Sequence, residues 1–335
     1  MPPTLAAELA PVIEAVRFTS DDAFIFAGLP STPLGPIPPP TAQDTGLPPL
    51  LAQLQTFLYG YAYCRRFTGV VDATPPPAVP ADGFAAELSR ANATQERWDP
   101  GWQIAHQLPS GQFLAQKHGI YRAVWPGEFM NVDGYGRAPQ QGANISLYFP
   151  RESRTIQPGF YFVFGDSPSD QMDDYAVVRF YWHVAAAGAP DLVAALTQQL
   201  NRFQVPFRFK TLDQPQSYLR RDAAILYVAR RYYHAAAEAV AAIHRVVRPH
   251  LGEDVPLFSR QLAPGLGFAE DPGNQESFGM ARCRILAQGI WNAHKAGVST
   301  PEERLAIVLR EFENHGVSPE RPYLNPGSED RYPFR

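Results

Sequence analysis

Leu5, Leu9, Val12, Ile13 and Val16 recur at helical spacing through residues 3–17, and Leu50, Leu51, Leu54, Phe57 and Leu58 repeat the pattern within 46–66. Both segments predict amphipathic helices that lay one apolar stripe on a core. Pro-rich stretches at 29–43 and 74–83 interrupt them. The fixed φ and missing donor of proline suit extended connectors, or an arm that faces a partner.

From Trp102 the period shortens to two. WQIAHQL, a turn at Pro109-Ser110-Gly111 and FLAQKHGIYRAVW predict a hairpin, and ANISLYF and GFYFVFGD predict further strands. VVRFYWHV at 177–184, a helix carrying Leu192, Leu196 and Leu200, and VPFRFKTL at 205–212 make a strand, helix, strand unit. Residues 218–248 predict one long helix and 277–296 another. The last helix is marked by Thr300 as N-cap, Pro301 at its first position, Glu303 in a capping box and Gly316 as its stop. No repeat of solenoid or propeller period occurs. The expected class is α+β: a central, largely antiparallel sheet flanked by helices, with helical N-terminal and C-terminal regions.

Composition narrows the function classes. With 335 residues, 45% of them hydrophobic, the chain can bury a sizeable core. A formal net charge of −4 argues against general nucleic-acid or anionic-membrane binding. Cys64 and Cys283 stand far apart and fit no metal spacing, which suits a reducing compartment. The N-terminus carries Glu8 and Glu14 within its apolar pattern and lacks a basic start, so it does not resemble a signal peptide. No apolar run reaches membrane-spanning length. A cytoplasmic protein is expected. HExxH, P-loop and GxSxG patterns are absent, and neither cysteine sits in a Cys-x5-Arg loop. GLGFAEDPG puts Glu270 where a dinucleotide loop needs its third glycine, and predicts an ordinary turn. Lys117 and His118, adjacent on a strand, point to opposite faces. Trp102, Trp125 and Trp291 are expected as core or interface anchors.

Alternation on VVRFYWHV places Arg179, Tyr181 and His183 on one face and Val178, Phe180, Trp182 and Val184 on the other. On VPFRFKTL, Phe207 and Phe209 oppose Arg208 and Lys210. Lys210 is informative because only Lys117, Lys210 and Lys295 are lysines among 29 basic residues. Arginine does not release its proton at useful pH, whereas a desolvated lysine beside other cations does, as a general base requires. The bland alternative is a strand-end lysine with its ammonium in water, and for His183 a satisfied histidine on a half-buried strand. Ten Lys/Arg against five Asp/Glu between 201 and 260 supply candidate phosphate ligands. Of these, Arg220 and Arg221 lie nearest the Lys210 strand, while Arg230 and Arg231 suit a solvated helix face.

RFYWHV, VPFRFKTLDQPQSYLRRDAAILYVARRYY, LAPGLGFAEDPGNQESFGMARCRILA and ERPYLNPGSEDRY together resemble the HopA-type bacterial type III effector family. The likeness covers roughly residues 100–335 and extends to relatives in ribosomal peptide biosynthesis. Those relatives look like the lyase components of class V lanthipeptide and thioamitide pathways. There a separate kinase phosphorylates Ser or Thr of a precursor peptide, and the lyase expels phosphate to leave dehydroalanine or dehydrobutyrine. Such sites are similar to those of phosphothreonine lyases, with Lys-x-His on one strand and Lys-x-Lys before Thr or Asp on another. Here Arg208-Phe209-Lys210-Thr211 matches the second motif with Arg for the first Lys. Tyr181-Trp182-His183 matches the first with Tyr for Lys, and Arg179 is placed to replace that lost cation.

The resemblance implies Lys210 as base, His183 as acid to the bridging oxygen, and Arg208, Arg179, Tyr181, Arg220, Arg221, Tyr227 and Arg282 as phosphate or substrate ligands, with no metal or cofactor. It implies as partners a phosphorylated precursor peptide and a separate kinase, but no nucleic acid or membrane. Residues 1–100 would form a docking region for the leader peptide or kinase, and 101–335 the lyase-like domain. The rival expectation is a non-catalytic, effector-like binding protein.

Overall fold

Thr4 opens the first helix, its hydroxyl accepting from the Ala7 N–H. This computed structural model describes residues 4–33, 47–71, 83–134, 138–273 and 276–334; the Pro-rich residues 34–43 and 74–82 lie outside them. Helix α1 (Leu5–Glu14) leads into a small meander of β1 (Val16–Ser20), β2 (Ala23–Phe26) and β3 (Leu29–Pro30). Helix α2 (Pro49–Leu58) has proline in its first turn and continues into a π-helical turn, Tyr59–Tyr63. Helix α3 (Phe84–Ala91) completes the N-terminal part. Leu9, Leu54, Leu58 and Leu88 of these helices share one core with the large sheet described below. Packing therefore draws no boundary at residue 100.

A second core belongs to β4 (Arg97–Gln107), β5 (Phe113–Lys117), β6 (Ile120–Val124), β7 (Phe129–Asn131) and β8 (Asn144–Phe149). Their order is β6-β5-β4-β8-β7. The Phe113 and Phe129 rings meet at 5.7 Å although two strands separate β5 from β7 in the sheet, so the sheet curls on itself. Trp102, Ile104, Phe113, Ile145 and Leu147 fill the curl.

The remaining chain builds β9 (Glu152–Ser153), β10 (Phe160–Phe164), β11 (Val177–Trp182), α4 (Ala189–Arg202), β12 (Phe207–Leu212), β13 (Ala224–Ala229), α5 (Tyr233–Val247), β14 (Arg260–Ala263), β15 (Leu266–Glu270), α6 (Phe278–Lys295) and α7 (Pro301–Asn314). The seven strands run β14-β15-β11-β13-β12-β10-β9, every neighbouring pair antiparallel. Phe180 faces α5, stacking on Tyr233 at 5.9 Å, while Tyr181 faces α6 and meets Phe278 at 6.1 Å. The sheet thus lies between helical layers, and the expected α+β class is what the chain adopts. The start of α7 is as predicted: the Thr300 hydroxyl accepts from Glu303 N–H, and Gly316 closes the end at φ +70°.

Two expectations are corrected and a third is completed. Residues 218–248 are not one helix, because Ala224–Ala229 form a strand buried on both faces and only Tyr233–Val247 are helical. A fully buried strand carries no alternation, and its apolar run matches a buried helix equally well. The strand, helix, strand unit is present as β11, α4 and β12, with β13 lying between its two strands in the sheet. GLGFAEDPG is a turn only at Gly265; Leu266–Glu270 pair with β11.

Trp102 is core, Trp125 is half exposed, and Trp291 packs on Phe18 at 4.9 Å. Both cysteines are buried and free. Among the described residues, no helix is long and apolar enough to cross a membrane.

Candidate active site

Antiparallel register sets the side chains of the large sheet in cross-strand rows. One row reads Phe164, Arg208, Tyr227, Arg179; the next reads Phe162, Lys210, Ile225, Tyr181. Tyr227 is thus flanked by two arginines, whose guanidinium carbons lie 4.9 Å (Arg208) and 5.2 Å (Arg179) from its ring centroid. Lys210 Nζ lies 4.4 Å from the Phe160 centroid and 5.9 Å from that of Tyr227, and donates to Gln157 Oε1 at 2.9 Å. Rings attract cations through their quadrupole without neutralising them.

Two of the cations have carboxylate partners. Arg179 binds Asp271 through Nε at 2.6 Å and Nη2 at 2.5 Å. Arg220 grips buried Asp222 with Nε and Nη2, both at 2.8 Å, and its Nη2 donates to Tyr59 Oη at 2.9 Å. Lys210 and Arg208 form no ion pair among the described residues. With Lys210 protonated, four cations, Arg179, Arg208, Lys210 and Arg220, against two carboxylates, Asp222 and Asp271, leave the face with two surplus positive charges. Burial first, then Arg179, Arg220 and Arg208 against the pull of Asp222, lower the Lys210 pKa to about 8. Burial, then Asp222, pushes Tyr59 well above the ordinary phenol value, so it stays protonated. The buried Tyr181 hydroxyl lies beside Tyr63 and Arg179.

The expected site residues divide into two sets. Lys210, Arg208, Arg179, Tyr227, Tyr181 and Arg220 come together on this face. His183, Arg221 and Arg282 do not join it. β11 ends at Trp182, and the His183 Nδ1 lies 3.0 Å from the Asp254 carbonyl oxygen, with its ring against Gly252. No hydrogen bond or ring contact links His183 to Lys210 among the described residues. Arg221 Nη2 donates to the carbonyls of Ala62, Tyr63 and Arg65, closing the end of the π-helical turn. Arg282 donates to the carbonyls of Pro322 and Leu324, and burial lowers its pKa to about 10. Arg230 pairs with buried Glu270 and Arg231 with Asp173, so neither is simply solvated.

Sequence reasoning passed over Tyr59, Gln157, Asp222 and Asp271. Asp222, directly after Arg220-Arg221, was the available signal; the others come from distant segments. Among the described residues, no group of three or more His, Cys, Asp or Glu side chains is placed to hold a metal ion.

These features define an α+β protein with a lysine-centred cationic face built on aromatic rings. The sequence model of the HopA1 effector protein family matches residues 151–324, more than half of the 335-residue chain, and the chain belongs to that family. Two solved structures are similar. The effector protein from Pseudomonas syringae pv. tomato strain DC3000 is 16% identical, over 81% of this chain and 90% of that one, with TM-score 0.45. The effector protein from Pseudomonas syringae pv. syringae strain 61 is 18% identical, over 82% and 95%, with TM-score 0.41. Overlaps this loose leave the chemistry of the site to its own residues. No curated protein matches the chain.

Proposed function

We propose that the protein is a phosphoserine or phosphothreonine lyase acting on a phosphorylated ribosomal precursor peptide, in lanthipeptide or thioamitide biosynthesis, together with a separate kinase. One observation carries this: Lys210, its pKa lowered to about 8, stands among three guanidinium groups and has no carboxylate partner among the described residues. With Lys210 neutral, three guanidinium groups against Asp222 and Asp271 keep the face positive toward a phosphomonoester dianion, and their planar forks suit its oxygens.

Neutral Lys210 removes the Cα proton. The electron pair forms the Cα=Cβ bond, the Cβ–O bond breaks, and phosphate leaves with the bridging oxygen. Arg208, Arg179 and Arg220 stabilise charge as it accumulates on the leaving group. The resemblance assigns protonation of that oxygen to His183, whose Nδ1 lies at the Asp254 carbonyl. Tyr59, a protonated phenol hydrogen-bonded to Arg220, is the alternative donor.

The test is mass spectrometry of a phosphothreonine peptide incubated with the native protein and with Lys210→Ala. Loss of phosphoric acid with the native protein alone supports the reading; replacement of phosphate by hydroxyl would indicate hydrolysis. The same position of His183 favours a second reading, a binding protein that holds phosphopeptides without reaction. That reading predicts retention of the peptide with its mass unchanged, even when kinase and precursor are supplied.

A further inference from the structure

Between the end of the seven-stranded sheet and the curled five-stranded sheet lies a cleft of about 610 Å³, a size that holds several side chains of a peptide. Arg208 and Tyr227 line it, so it opens directly from the cationic rows. On its walls stand Trp125, 49% exposed, and Ile156, 57% exposed. Neither belongs to the core that fills the curled sheet. Apolar side chains on the wall of a cleft offer contact area to a ligand seated there.

The curled sheet is tied in place. Gln95 N–H donates to Asp166 Oδ1, Tyr121 N–H to Asp170 Oδ2, and Arg122 Nη1 to the Ser169 carbonyl. It lies outside the segment 151–324 that the family model matches, and its own core lets it hold a wall that the cationic rows do not need for packing.

Resting on the lyase reading, we propose that this cleft is the substrate-peptide groove: it seats residues flanking the phosphorylated one, with an aromatic or aliphatic side chain against Trp125 and Ile156. Continuity with Arg208 fixes the occupant, because a peptide whose phosphate lies on the cationic rows must run its neighbouring residues along the adjoining wall. Exposed Asp174 and Glu128 line the same cleft beside Arg122, and Glu128 accepts from the Trp125 N–H.

The test uses peptides bearing a phosphonate in which methylene replaces the bridging oxygen, so that they bind without elimination. A library with randomised flanks is passed over immobilised native protein and over Trp125→Ser, Ile156→Asp and the double variant, each checked for an unchanged melting profile. Retained native pools should be enriched in aromatic or aliphatic residues at a fixed flanking position. That enrichment should vanish in the double variant, with affinity for an enriched peptide down about tenfold. Flanks that stay random, or enrichment that survives both substitutions, would overturn the groove. Phosphate elimination from a minimal phosphothreonine peptide is scored separately: its absence alongside apolar enrichment removes the lyase reading and leaves a peptide groove, whereas elimination with random flanks removes only the groove.

Discussion

Lys210 holds its ammonium 4.4 Å from the centre of the Phe160 ring, two residues along β10 from Phe162, which is its partner in register. The rings attract the ammonium and keep the lysine in place, whereas burial and the neighbouring guanidinium groups lower its pKa. For a base that must be neutral to act, the environment and the role agree.

With Lys210 as base, the rising limb of kcat/KM for a phosphothreonine peptide should have its midpoint at about pH 8, as the ammonium loses its proton. A pH-rate profile between neutral and alkaline buffers checks this. Lys210→Arg keeps the charge but cannot deprotonate, so it should hold the phosphonate peptide while losing roughly 10²–10⁴ in rate.

Stability should also rise with pH, over a higher window. Unfolded, Lys210 titrates near the ordinary lysine value of about 10.4; folded, near 8. Between those values the unfolded chain binds more protons, so stability rises with pH across that window, and below it the full penalty of burying the ammonium applies. Lys210→Met should therefore stabilise the protein by about 1–3 kcal/mol at neutral pH, a gain that shrinks toward pH 10. Urea unfolding of both proteins at several pH values measures it.

The Arg179–Asp271 pair is held by two short bonds, with the arginine side chain only 9% exposed. Removing the carboxylate strands a buried guanidinium, so Asp271→Asn should cost about 3 kcal/mol in denaturant unfolding.

Arg221 and His183 separate structure from chemistry. Arg221→Met removes the donor shared by three carbonyls and should destabilise by about 2–3 kcal/mol, seen in urea unfolding, with KM for phosphopeptide little altered. His183→Asn should lower kcat less than about tenfold if Tyr59 is the donor, and about 10²-fold or more if the histidine is. Tyr59→Phe should show the reverse order.

Much of this was legible in the chain. Alternation located β11 and β12, and the scarcity of lysine singled out Lys210. Alternation also gave the face shared by Arg179 and Tyr181, because a strand fixes side-chain direction. At His183, one residue past the end of β11, the chain stays extended and the ring lies against Gly252, with Nδ1 at the Asp254 carbonyl. Ala224–Ala229 carried no period to read, being buried on both sides. Arg221 and Arg282 have the composition of phosphate ligands, yet their donors satisfy backbone carbonyls, a use that only tertiary structure decides.

The place of β13 has a consequence for how the chain reaches its active form. β11 and β12 precede it in sequence but are separated by it in the sheet, so the two arginine-bearing strands can settle only after the later strand slides between them. Tyr227 arrives with that strand, and Arg221 N–H, just ahead of it, bonds the distant Cys64 carbonyl. Closure of such non-local pairings is slow. A nascent chain should therefore acquire its charged face in a late and concerted step, one that a stall before residue 224 on the ribosome would forbid.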